Sequence, residues 1–210
     1  MNRFVLTDVL PEKIILTDDP LRVKMIVAHY LDNIEILYEQ RGMIGCSGVF
    51  RDVKIAALSC GFGETAVRLY LNEAVCSGAK KIIYLGECVS LKREMGLMSV
   101  IVAEGGDKKL SDRIITKADA MNVRVSVVKT MTDDNYWYKE AAVQNDKGSY
   151  IIDFATNAVY TESKKYGVTA AAVLTVSENT VTAQRVTANT RQSRFNDAAL
   201  LALEAFSDCD

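Results

Sequence analysis

Apolar positions along this chain fall into short β-branched runs separated by longer stretches of helical spacing. The run Ile14-Ile15-Leu16-Thr17 predicts a buried strand. Pro20 then opens a helix over 21–31, because proline suits a first turn and Asp19 can cap it. A second strand over 53–58 enters the glycine turn Cys60-Gly61-Phe62-Gly63. The helix predicted over 64–77 places Ala66, Leu69, Tyr70 and Ala74 on one face before Gly78 ends it. Further strands are predicted over 81–85, 100–103 and 123–128, the last two around a helix near 112–121. A helix over 154–166 stops at Gly167. The run VTAAAVLTV over 168–176 reads as a central strand buried on both faces, and one terminal helix is predicted over 189–206. Such alternation implies an α/β fold: a mixed, mostly parallel central sheet flanked by helices, with ligands gathered at the carboxyl ends of strands. The segments to interrogate are therefore 17–22, 59–64, 86–90 and 177 onward.

Composition narrows the function classes. The chain has 210 residues, of which 49% are hydrophobic and 25% charged, the proportions of a soluble globular protein. Its 25 basic and 27 acidic residues leave a net charge of -2, which gives no general pull toward nucleic acid or an anionic membrane. No apolar run approaches a membrane span, and the N-terminal residues lack the apolar centre of a signal peptide. Five cysteines (Cys46, Cys60, Cys76, Cys88, Cys209) form no CxxC pair and read as reduced thiols of a cytoplasmic protein. His29 is the single histidine, so no metal site is expected, and Ser59, Ser77 and Ser177 have no evident base. Neither GxGxxG, GxxxxGK[ST] nor GxSxG occurs. The GFG turn could bring backbone amides to an anion or a sugar, or be a plain strand-to-helix turn.

Taken in order, several segments resemble the nucleoside phosphorylase family, of the trimeric or hexameric purine nucleoside and uridine phosphorylase type. TDDPLR (17–22) looks like the family's GDPxR phosphate segment, and YEQRGMIGCSGVFRDVKIAALSCGFG (38–63) tracks its RGMxGxxGxxxGxxVxxxxxGMG stretch. KKIIYLGECVSL (80–91) sits at its strand ending in RxGSCG. DFATNAVYTESKKYGVTAAAVLTVSENT (153–180) corresponds to its EMExAALYxxAxxxGVxAxxxxTVSD run, and TANTRQSRFNDAALLALEAF (187–206) resembles its terminal helix. The resemblance spans nearly the whole chain, so residues 1–210 are expected to form a single nucleoside phosphorylase-like domain.

Membership implies cleavage of an N-glycosidic bond by phosphate, with arginines around the phosphate, a carboxylate on the ribose and an acid near the base. No cofactor is implied beyond phosphate as co-substrate. By resemblance, the phosphate site takes Arg22, Arg41 (lent by a neighbouring subunit in the family) and the backbone around Gly86. Glu178 stands for the acid, with Arg191 assisting proton transfer. Phe62, Tyr136, Trp137, Asp153, Phe154 and Ser177 fall on nucleoside-binding positions. The departures cluster at the chemistry. Asp18 replaces a glycine that faces phosphate, Tyr84 a phosphate arginine, Glu87 a serine and Ala155 the ribose-binding glutamate, while Glu178 stands in place of an aspartate. A unit charge pair near 5 Å at an effective dielectric of about 20 is worth roughly 3 kcal/mol. Two added carboxylates therefore weaken phosphate binding substantially.

The resulting expectation is a protein acting on the N-glycosidic bond of a nucleoside, preferably a purine, with diverged phosphate and ribose sites. A phosphate-independent hydrolase and a non-catalytic nucleoside-binding or structural homologue remain as alternatives. Asp18, alternatively, caps the helix after Pro20, Glu87 pairs with Arg22, Arg41 or Lys92, Tyr84 packs, and Arg41 is a solvated hairpin residue. Partners are a small nucleoside or base and, by resemblance, further copies of the chain in a dimer or hexamer of dimers, with no nucleic acid or membrane.

Overall fold

Strand β1 (Lys13–Thr17) is buried from Ile14 onward because it lies between β4 (Val53–Ser59) and β5 (Lys81–Ser90), parallel to both. These coordinates come from a computed structural model, which describes residues 9–134, 148–193 and 195–207. Along the other edge of β5 runs β10 (Thr169–Asn179), also parallel and buried over 170–177. The run VTAAAVLTV is thus central and covered on both faces, as continuous apolar patterning requires. Away from this parallel centre the sheet becomes antiparallel. The hairpin β2 (Asp32–Gln40) and β3 (Met43–Phe50) extends from β4. On the far side β6 (Val100–Ala103) pairs antiparallel with β10 and parallel with β7 (Val125–Val128). The order is β2-β3-β4-β1-β5-β10-β6-β7. Three short strands attach beyond it: β8 (Thr130–Thr132), β9 (Ile151–Asp153) and β11 (Gln184–Arg185), through β9 on β5 and β11 on β10.

Helices cover both faces. Val67, Tyr70, Leu71 and Ala74 of α2 (Glu64–Cys76) and Ala158 and Val159 of α4 (Thr156–Tyr166) pack on the side of Leu16, Tyr84 and Ala172. The opposite face, with Ile15, Ile83 and Val173, receives α1 (Pro20–Tyr30), α3 (Lys108–Ala120) and α6 (Asn196–Ser207). None of the described helices is long and apolar enough to cross a membrane. Local signals set several boundaries as expected: Asp19 caps α1 by accepting from Leu21 N–H at 2.8 Å, and Gly167 ends α4 in the left-handed region at φ 66°. Two expectations are corrected. Of the predicted α2 stripe Tyr70 and Ala74 are buried, but Val67 and Leu71 complete the buried face in place of Ala66 and Leu69, the latter 37% exposed. The terminal helix is two, α5 (Ala188–Ser193) and α6, the second beginning with the polar, N-terminus-favouring pair Asn196-Asp197.

Candidate functional site

Parallel pairing brings Thr17, Ser59 and Leu85 level at the carboxyl edge of the sheet. There α1 begins, and its first turn directs Arg22 back across that edge. The guanidinium is 2% exposed. Its Nη1 donates to Thr17 Oγ1 at 2.7 Å, Asp18 Oδ1 at 2.7 Å and the Leu85 carbonyl at 3.1 Å. Phe195 places its ring 5.0 Å from the guanidinium carbon. A cation at a helix N-terminus opposes the helix dipole, and α1 has no acidic residue in its first turn, so the carboxylate of Asp18 offsets it from just outside the helix. Burial works against the charge on Arg22, but Asp18 and then Glu87 override it and raise its pKa. The other edge of the fork, Nε and Nη2, is buried with no hydrogen-bond partner among the described residues.

Glu87 lies opposite that edge. Its Oε1 is 3.6 Å from Arg22 Nη2 and its Oε2 is 3.5 Å from Arg191 Nε, so one carboxylate bridges two guanidiniums at ion-pair range. Burial and the charge of Asp18 raise the Glu87 pKa, against the pull of Arg22, Arg191 and the Ser177 hydroxyl. The result is an alternating line, Asp18, Arg22, Glu87, Arg191, whose formal charges cancel. Of the partners open to Glu87 in sequence, Arg22 is taken and Arg191 replaces Arg41 and Lys92.

Glu87 opens onto a cavity of about 190 Å³ lined also by Phe62, Val89, Asp134, Phe154, Ser177, Glu178, Arg185 and Arg191. The register of β10 on β5 shifts between Val176 and Glu178, a bulge that lets both Ser177 and Glu178 line the cavity instead of alternating. Antiparallel pairing sets Arg185 opposite Glu178, and Arg185 Nε and Nη2 approach Glu178 Oε2 at 2.8 and 2.7 Å. Phe62, 53% exposed after the glycine turn, and Phe154 form an aromatic wall with ring centroids 4.5 Å apart. Glu64 ties this wall together: it accepts from Asn157 Nδ2 at 2.8 Å and from Arg68 at 2.9 Å, while its own N–H donates to Asp134 at 3.3 Å.

Other expected residues are placed elsewhere. Asp153 is fully buried and accepts from the N–H groups of Ala155 (2.9 Å) and Thr156 (2.6 Å) and from Thr132 Oγ1 (3.1 Å). It anchors the start of α4 and does not line the cavity. Burial raises its pKa, against the pull of the Thr156 and Ala155 N–H groups. Ala155 is also fully buried and brings no polar side chain. Tyr84 is 2% exposed and belongs to the core under α2 and α4, on the face opposite Glu87. Its ring crosses Gly86, where a Cβ would meet Tyr84 Cε1 at 2.5 Å. Gly86 is therefore explained by Tyr84. Arg41 stands exposed at the tip of the β2–β3 hairpin with φ 54°, and it is not a lining residue of this cavity. Tyr136 and Trp137 lie outside the described residues. Sequence reasoning missed Arg185 and Asp134, which spacing alone does not flag. Among the described residues no group of three or more His, Cys, Asp or Glu side chains is placed to hold a metal ion.

Comparison with known proteins bears on this geometry. No family model matches the chain. The DeoD-type purine nucleoside phosphorylase of Alkaliphilus metalliredigens is 32% identical over 221 residues, covering 92% of this chain and 93% of that protein. That of Bacillus velezensis is 28% identical over 219 residues, covering 93% and 94%. Among solved structures, a purine nucleoside phosphorylase from Toxoplasma gondii in complex with immucillin-H shares the fold. Its TM-score is 0.85 at 19% identity, over 95% of this chain and 91% of that one.

Proposed function

The chain belongs to the nucleoside phosphorylase family, and on that premise we propose that it cleaves the N-glycosidic bond of a purine nucleoside at the Glu87–Glu178 cavity, with water in place of phosphate as the attacking group. The observation that carries this reading is the buried Arg22, which already has Asp18 at 2.7 Å and Glu87 at 3.6 Å. An incoming phosphate would meet two carboxylates where it needs cations. Water meets no such repulsion. In the cavity its oxygen attacks the anomeric carbon while a water proton passes to the Glu87 carboxylate, the carbon–nitrogen bond to the base breaks, and a proton that Glu178 has first taken up from solvent passes to the leaving nitrogen, Glu87 then returning its own proton to solvent. The products are a free sugar and a free base. Glu178 becomes available for this step when Arg185 exchanges it for the edge of the base. The aromatic wall of Phe62 and Phe154 suits a stacked base.

The test is a nucleoside panel with and without inorganic phosphate, reading released base. The expected result is base release whose rate is unchanged by phosphate. Strong, saturable phosphate dependence refutes the reading.

One observation favours a second reading, binding without turnover. Ala155 is buried and apolar, and Asp153 is committed to the start of α4, so this segment offers no carboxylate to the sugar hydroxyls. Calorimetry separates the two. A base that binds as tightly as its nucleoside, with no base release, identifies a binding module.

A further inference from the structure

The Nε–Nη2 edge of Arg22 is the side of a guanidinium that grips two oxygens of one oxyanion in parallel. Here that edge is buried and has no hydrogen-bond partner among the described residues. Its nearest counter-charge, Glu87, stops at 3.6 Å, whereas charge-assisted N–H···O bonds close to about 2.7–2.9 Å. Arg191, on the far side of the same carboxylate, is at 3.5 Å. Glu87 thus balances the charge of two guanidiniums without satisfying their donors.

We infer that Glu87 is a latch on an oxyanion seat. While ionised, its carboxylate fills the seat between Arg22 and Arg191. When neutral, it yields the seat to a small tetrahedral oxyanion. The inference rests on the reading that the seat is occupied from within, and it adds what controls entry.

Charge counting gives the direction. With Glu87 ionised, Asp18, Arg22, Glu87 and Arg191 sum to zero and an added anion makes the group negative. With Glu87 neutral the same four carry one positive charge, which an anion cancels. The groups facing Glu87 are Asp18 before α1, Arg22 on α1, Arg191 on α5 and Ser177 on β10, with Glu178 and Arg185 across the cavity and Cys88 beside it on β5. Burial and the Asp18 charge favour the neutral form at a higher pH than an ordinary glutamate. The binding-competent fraction then falls about tenfold for each pH unit above that titration, and apparent affinity falls with it.

Sulfate is the suitable probe, because its charge stays constant across the range in which phosphate titrates. Calorimetric titration of the full chain with sulfate between pH 8 and pH 5 is expected to show affinity rising by at least about tenfold toward acid. Glu87→Gln is expected to bind sulfate at pH 8 at least about tenfold more tightly than the native chain and with little pH dependence, while Asp18→Asn keeps the pH dependence. Melting curves establish that each variant is folded. Native affinity that is flat with pH, or equal affinities of the native chain and Glu87→Gln at pH 8, overturns the latch. Sulfate binding needs no nucleoside, so the two readings fail separately. A working latch without base release overturns the proposed activity, and phosphate-independent base release beside flat sulfate binding overturns the latch.

Discussion

Replacing Arg22 with methionine keeps the length of the side chain and removes the charge on which the line of ion pairs depends. Three contacts of Nη1 are lost, to Thr17, Asp18 and Leu85, at 2.7, 2.7 and 3.1 Å. Asp18 and Glu87, 8% and 13% exposed, are left facing each other without the cation between them. Removing one partner of a buried ion pair costs about 3–5 kcal/mol, chiefly because the remaining charge is stranded. For a chain of this size each kcal/mol shifts the melting temperature by roughly 2–4 °C, so a fall of about 6–20 °C is expected near pH 7.5.

The pH dependence carries the sharper test. The folded-state pKa of Glu87 is already raised, and Arg22 is one of the groups pulling it down, so the substitution raises it further. A carboxyl raised in the folded state contributes stability that is present below its unfolded pKa and lost as pH rises through the folded value. The gap between native chain and variant should therefore narrow on acidification, and adding Glu87→Gln should recover part of the loss at pH 7.5. Thermal and urea unfolding at fixed protein concentration measure both. A loss below about 1 kcal/mol, or one that does not change with pH, would refute the account of Arg22 as a cation held by internal carboxylates.

Three further outcomes follow from the packing. Gly86→Ala places a Cβ 2.5 Å from Tyr84 Cε1 in a fully packed core, so unfolding measurements should show a loss of about 1–3 kcal/mol. Asp153→Ala strands two buried N–H groups at the head of α4 and should cost about 2–5 kcal/mol. Asp153→Asn should cost less and should flatten the gain in stability that the native chain shows toward acid, since the folded pKa of Asp153 is raised. Arg185→Ala breaks a pair whose arginine is 62% exposed, so stability should change by less than about 1 kcal/mol, while calorimetric nucleoside affinity changes because Glu178 loses its partner.

How much of this was legible in the sequence depends on whether the signal is local. The strand at Ile14–Thr17, the Asp19-Pro20 start and the Gly167 stop each rest on a few adjacent residues, and the central position of β10 on its unbroken apolar run. The β2–β3 hairpin was legible only as one of two placements of Arg41, without its strands. Its outer strand leaves Ile34 and Ile36 49% and 64% exposed, which spoils the alternation, and its turn places Arg41 and Gly42 at positive φ without the usual Asn or Asp. At the site, Arg22, Glu87, Ser177, Glu178 and Arg191 were all nameable from the resemblance. Of their pairings only Glu87 with Arg22 was among the expected ones. That Arg185 meets Glu178 follows from the register of β11 on β10, and that Glu87 meets Arg191 follows from the placing of α5 beside α1. Of the two readings of Tyr84, phosphate position or packing residue, strand alternation favours packing: it turns the ring to the face away from Glu87, over Gly86.

Read physically, the departures from the family pattern form one set. A guanidinium buried as deeply as that of Arg22 is stable only beside an anion, and desolvating it alone would cost several kcal/mol. In the family pattern phosphate supplies that anion and further arginines bind it. In this chain Asp18 and Glu87 stand beside the guanidinium. Together they offset the charge of Arg22 with no external ion, so on the proposed reading the carboxylates that oppose phosphate also hold this end of the sheet together. Reverting Asp18 and Glu87 together should therefore lower stability in phosphate-free buffer and restore it when phosphate is added. Reverting neither should leave the melting temperature insensitive to phosphate at pH 8.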